Sequence, residues 1–209
     1  MNLFDIKEIV IEVLGYQISY VELIGTSFGL LSVYYATKAN ILTWATGIIN
    51  EIFLFILFFQ VQLYADMLLQ VYFMIITIYG WYSWKKNTVE NTISNLKLRI
   101  KLLLVLSIVI FTLLFGFLFH NIHLYLPTYF KVPAAYPFID SIVMVSSIVA
   151  TALLAKKKIE NWYLWIVIDV TCVVLYAIKG IYFLSLEYLF FIVLACYGLY
   201  NWEKQLLHG

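Results

Sequence analysis

Seven unbroken apolar stretches, at about 18–37, 41–60, 63–84, 99–119, 138–155, 162–179 and 181–202, constrain this chain more than any other feature. Each is close to the roughly 20 residues a helix needs to cross the hydrocarbon core of a bilayer. An open strand in lipid would leave its backbone donors and acceptors unpaired, so each stretch must be helical. The stretches do not alternate polar with apolar, which excludes a transmembrane β-barrel. Of the 209 residues, 64% are hydrophobic and 12% charged, against about 45–50% and about 25% in soluble domains. So few charges cannot cover a soluble surface. The fold class is an all-α polytopic membrane protein.

The first residues do not form a secretory leader, because Asp5, Glu8 and Glu12 stand where positive charge belongs. Ile6, Ile9, Val10, Val13 and Leu14 recur at helical spacing. They predict a short amphipathic helix over residues 1–17, lying on the membrane surface. Cys172 and Cys196 both fall inside apolar stretches and read as reduced core residues. A net charge of +1 offers no footprint for nucleic acid.

Lys and Arg set the topology. Counting sides alternately, one receives Lys7, Lys131 and Lys179. The other receives Lys38, Lys85, Lys86, Lys97, Arg99, Lys101, Lys156, Lys157, Lys158 and Lys204, ten against three. The amino terminus is therefore expected outside and the carboxyl terminus inside. The longest outer loop, about 120–137, holds Pro127, Pro133 and Pro137 with Tyr125, Tyr129 and Tyr136, and is expected to lie along the outer interface. His120 and His123 share a helix face there; an interfacial helix end suits them better than a metal site of two ligands.

The chain also repeats itself. Tyr79-Gly80-x-Tyr82-x-Trp84 returns as Tyr197-Gly198-x-Tyr200-x-Trp202, at an offset of 118, and Tyr64 and Tyr182 share that offset. Asn40 with Trp44 resembles Asn161 with Trp165 at an offset of 121, which a three-residue gap would reconcile. The repeat unit is then three helices, with a fourth helix between two copies. An odd unit plus one inserted helix leaves both copies pointing the same way. This 3+1+3 plan divides the chain into 1–17, 18–84 (first repeat), 85–137 (fourth helix and outer loop) and 138–209 (second repeat). Parallel repeats of this kind place a substrate site near the midplane at the repeat interface.

A charge at the centre of a membrane helix costs roughly 2.5–3.5 kcal/mol on insertion scales, so such residues mark pathways. The spans contain Glu22, Glu51, Asp66, Asp169 and Glu187, with Asn50 and Gln70. Asp66, Gln70, Phe73 and Thr77 share one stripe of the third span. Trp162, Trp165, Asp169, Cys172 and Tyr176 share one stripe of the sixth. Asp66 and Glu22 lie near the outer end, where they can face water. Trp81, Trp84, Trp202 and Trp162 read as interface anchors. Gly25-x-x-x-Gly29 predicts close helix packing, within the bundle or between protomers. Trp44 and Trp165, taken as repeat equivalents, would wall opposite sides of one cavity. Aromatic walls beside carboxylates suit a flat cationic ligand. No nucleotide-hydrolysis, HExxH or GxSxG motif occurs, and no histidine lies near the polar cluster, so an enzyme fits poorly.

Several stretches taken together carry a family resemblance. They are Gly47-x-x-Asn50, Phe59-Gln60-x-Gln62-Leu63-Tyr64-Ala65, Leu68-Leu69-Gln70-Val71, Tyr79-Gly80-Trp81-Tyr82-x-Trp84, Pro137-Phe138-x-Asp140-Ser141, Ser147-Ile148-Val149-Ala150, Glu160-Asn161-Trp162-x-x-Trp165 and Ser185-Leu186-Glu187-Tyr188. They span both repeats, and with them the chain resembles the PnuC family of bacterial vitamin transporters. The resemblance implies a fold like that of the SWEET sugar transporters. It also implies uptake of nicotinamide riboside, a precursor of NAD, across the inner membrane by facilitated diffusion. A homo-oligomer, with a trimer among the candidates, is implied as well; no cofactor is. On this reading Trp165 and Phe73, with Trp44 opposite, stack on the ring. Asn50, Gln70 and Asp169 hydrogen-bond the amide or ribose, and Glu187 and Tyr188 complete the outer side. A SWEET-like carrier of a neutral sugar or other small vitamin and a membrane-embedded enzyme remain as alternatives.

Overall fold

The computed structural model describes residues 3–13, 15–60, 64–86, 92–126, 128, 135–178 and 182–208; of residues 64–66, 68, 182–184 and 208 it describes the backbone alone. Among the described residues, seven helices follow a short hairpin: α1 (Tyr20–Thr37), α2 (Leu42–Gln60), α3 (Tyr64–Lys85), α4 (Leu98–Tyr125), α5 (Pro137–Ala155), α6 (Glu160–Ile178) and α7 (Tyr182–His208). By length and composition α2, α4, α5 and α6 can each cross a membrane. The other three are richer in Tyr, Trp and small polar residues, as in the Tyr, Ser, Thr and Glu of α1.

The amino terminus departs from the helix expected there. Ile9–Val13 (β1) and Tyr16–Ser19 (β2) pair antiparallel, with Ile11 opposite Ile18 and Val13 opposite Tyr16. The helical spacing of Ile6, Ile9, Val10 and Val13 is real. The β-branched run Ile9-Val10-Ile11 favours a strand, however, and Gly15 takes a positive φ of 84° at the turn. The hairpin feeds directly into α1. Ser19 caps that helix by accepting from the Glu22 amide, and the Tyr16 hydroxyl donates to Glu22 Oε1 at 2.6 Å. Upstream, Gln60 Nε2 donates to the Phe4 carbonyl, and Phe4 stacks on Phe53 at 5.4 Å, so this segment covers the end of α2.

The residues divide into two compact units. The first comprises 1–93, 154–157 and 197–209. The second comprises 94–153 and 158–196, so that α4 belongs with α5 and α6. Within the first unit, Gly25 and Gly29 bring α1 close to α2. A Cβ on Gly29 would sit 2.9 Å from Asn50 Nδ2, and one on Gly25 would meet Leu54 and Phe53. Ser32 and Thr43 exchange hydroxyl-to-carbonyl bonds across the same helix pair. Within the second unit, α4 meets α5 at Gly116, which makes room for Phe138; Phe117 meets the Phe138 ring edge-on at 5.3 Å. Lys101 pairs with Glu160 at 2.8 Å, and Lys158 Nζ donates to Ser94 Oγ. The helix α4 runs on to Tyr125 and carries His120 and His123. Pro127, Tyr129, Lys131, Pro133 and Lys179 lie outside the described residues, as do the side chains of Asp66, Tyr64 and Tyr182.

The α1–α2 and α5–α6 connections have the same backbone hydrogen bonds. Ala39 N–H donates to Ala36, Asn40 to Tyr35, Thr43 to Asn40 and Trp44 to Ile41. At an offset of 118 residues, Lys157 donates to Leu154, Lys158 to Leu153, Asn161 to Lys158 and Trp162 to Ile159. Ala39 and Lys157 both adopt a φ of 49°. The helices α2 and α6 are 19 residues each and start 118 apart. The offset of 121 is thereby corrected. Trp44 is matched by Trp162, not by Trp165, and no three-residue gap is needed. Both Trp44 and Trp162 are buried.

Candidate functional site

In the second unit the expected residues gather on the faces of α6 and α7. Asp169 is 4% exposed in the middle of α6, nine residues after the helix begins. One turn on, Cys172 joins Ala150 and Ile168 in a buried core, and Trp165, Tyr176 and Tyr188 pack around it. The rings of Tyr176 and Tyr188 lie parallel, 12° apart in plane with centroids 5.5 Å apart. Ser185 Oγ donates to the Val173 carbonyl at 2.9 Å and fixes the start of α7 against α6. Thus Trp165, Asp169 and Tyr188 come together, with Glu187 half-buried beside Tyr188. This arrangement offers stacked rings and two carboxyls, those of Asp169 and Glu187.

In the first unit the residues separate. Gln70 is buried on α3 and lines a cavity of about 420 Å³ between α2 and α3. Phe73 is half-buried on the same helix and meets Tyr72 edge-on at 5.7 Å. Asn50 turns toward α1 instead, donating from Nδ2 to the Gly25 carbonyl at 2.9 Å. Trp44 is 2% exposed, edge-on to Trp84 at 5.1 Å. It fills the notch left by Gly80, where a Cβ would lie 2.5 Å from its ring. These contacts hold the bundle together.

Glu51, absent from the binding residues expected from the sequence, lies beside Gln70. It is buried, lines the same cavity as Gln70, and accepts a hydrogen bond at Oε1 from the Thr77 hydroxyl. The offset of 118 could have found it, because 118 residues after Glu51 stands Asp169. Each acid follows the first residue of its helix by nine positions, about 13 Å along the axis. Among the described residues no three His, Cys, Asp or Glu side chains gather closely enough to hold a metal.

Residues 19–204 match the family model described as nicotinamide mononucleotide transporter. The chain belongs to this family. It is 36% identical over 225 aligned residues to the nicotinamide riboside transporter PnuC of Escherichia coli (strain K12), covering 97% of this chain and 94% of that one. The PnuC of Shigella flexneri matches to the same extent. The riboflavin/roseoflavin transporter RibM of Streptomyces davaonensis is 23% identical over 186 residues, 89% of this chain and 85% of its own. A crystal structure of the vitamin B3 transporter PnuC superposes with a TM-score of 0.68 at 23% identity. It covers 90% of this chain and 83% of that one, and so shares the fold. These relatives are transporters, and this member of the family is a membrane transporter rather than an enzyme.

Proposed function

We propose that the protein imports nicotinamide riboside by facilitated diffusion, through the rocking of two like-oriented three-helix repeats, α1–α3 and α5–α7, with α4 inserted between them in sequence. The observation that carries this reading is the 36% identity, over 97% of the chain, with a transporter named for that substrate. The repeat plan is supported by the constant offset of 118 in turns, helix starts and buried acids. The binding residues of the proposal are Trp165, Asp169, Glu187 and Tyr188 in the second repeat, with Gln70 and Phe73 in the first. Asn50 and Trp44 support them by holding α2 in place.

The family description names the mononucleotide, whereas the two PnuC relatives are named for the riboside. Charge favours the riboside. Among the described residues every Lys and Arg lies in a connection or near a helix end, so none of these cations stands at mid-helix to meet a phosphate. A dianion there would be unpaired and costly to desolvate. The flavin of RibM and the riboside share a flat heteroaromatic ring bearing a polyhydroxylated five-carbon group, which rings and amides suit alike. The ten-to-three division of Lys and Arg supports an outside amino terminus and a cytoplasmic carboxyl terminus. Uptake of labelled riboside into proteoliposomes should be competed by unlabelled riboside and not by the mononucleotide or glucose. Equal competition by glucose would favour a sugar carrier.

A further inference from the structure

The cavity between α2 and α3 contains one ionisable group, Glu51, under aliphatic walls that include Ile52, Val71 and Ile75. The residue is 6% exposed. Thr77 holds Oε1, while Oε2 is buried with no hydrogen-bond partner among the described residues. A carboxyl so placed is fixed in orientation, short of one partner, and set in surroundings where a charge is weakly screened. The volume, about 420 Å³, falls in the range of small-molecule sites. Gln70 brings an amide to the same wall. In repeat register Glu51 corresponds to Asp169, at equal depth in an equally long helix.

We propose that Glu51 is a specificity-determining residue of the transport site, giving the first repeat a countercharge to a cationic heteroaromatic ligand. This rests on the transport reading above. Thr77 is its positioning residue, because the hydroxyl keeps one oxygen engaged and leaves the other for the ligand. The pyridinium ring of nicotinamide riboside has a permanent positive charge and its 1,4-dihydro form has none, while ribose and carboxamide are the same in both. The two therefore separate recognition of charge from recognition of hydrogen-bonding groups.

The test measures initial uptake of both forms into proteoliposomes. The wild-type chain should prefer the cation. Glu51→Gln, which keeps shape and removes charge, should lower uptake of the cation by at least about tenfold and leave the neutral form within about twofold. Thr77→Val should raise KM for the cation more than it lowers kcat, and should move the neutral form little. If Glu51→Gln does not purify as a stable, monodisperse protein, Thr77→Val decides alone, since it retains the carboxyl. A cation-to-neutral ratio unchanged from wild type in an active variant overturns the role of Glu51 and leaves the transport reading standing. Absence of riboside uptake by the wild type overturns that reading itself, and this inference with it.

Discussion

Trp165 and Asp169 lie one helical turn apart, so a ligand ring stacked on the indole would have the carboxyl within reach of its amide or charge. Trp165→Ala should weaken riboside binding by about 1–3 kcal/mol, the range for base–aromatic stacking. Titration calorimetry on the purified protein checks this, and wild-type affinity in the variant would rule out the stacking role. Legibility differs from residue to residue. Asp169 stands out in the sequence because a lone acid in an apolar span is too costly to keep without a role. Asn50 carries the same signal, yet its amide is engaged by the Gly25 carbonyl. Spacing along one helix cannot tell which neighbour a side chain faces. Glu51 and Asn50 are adjacent, so about 100° of helical rotation separates the cavity from the α1 contact.

At the scale of elements, the ends of α3 and α7 make matching contacts. Trp84 Nε1 donates to the Ala155 carbonyl at 3.1 Å, and Trp202 Nε1 donates to the Ala36 carbonyl at 3.0 Å. In the proposed repeat, the third helix of each copy thus closes on the end of the other copy's first helix, and the two indoles meet at 6.4 Å. Lys157 lies 4.6 Å above the Trp84 ring, and burial holds its ammonium below the usual lysine range. Position at a span end suggests interface anchors for both tryptophans; instead they are buried donors that tie helix ends together. Trp84→Phe should lower stability by about 1–3 kcal/mol by removing the indole donor to the Ala155 carbonyl, and Trp202→Phe by about 0.5–1.5 kcal/mol, because the Ala36 carbonyl keeps its bond from the Ala39 amide. Thermal unfolding in detergent measures it, and two variants as stable as wild type would contradict the clasp. Helix bounds are readable from the sequence to within a few residues, apart from the far ends of α4 and α7, because apolar length is set by the bilayer. The hairpin is not, since its β-branched residues fit a helical stripe and a strand equally well until Gly15 is seen to turn the chain.

At the scale of the molecule, the proposed repeat organises the rest. A constant offset of 118 relates two turns, two equal helices and two buried acids, and parallel repeats are a recognised frame for alternating access. Aromatic-rich stretches blur this register in the sequence, because Trp162 and Trp165 both offer a match to Trp44; the turn hydrogen bonds select Trp162. The orientation proposed from Lys and Arg belongs to this scale too. Lys86→Cys should react with an impermeant maleimide only after cells are opened, and Thr128→Cys in intact cells. The reverse pattern would invert the topology.

Facilitated diffusion is tested most sharply by counterflow of labelled nicotinamide riboside in proteoliposomes with no ion gradient and no membrane potential. Vesicles preloaded with unlabelled riboside should accumulate label transiently and then lose it, and dissipating any residual proton or sodium gradient should change nothing. Label that enters only when an ion gradient is imposed, or that fails to exchange with internal riboside, would contradict facilitated diffusion by this fold.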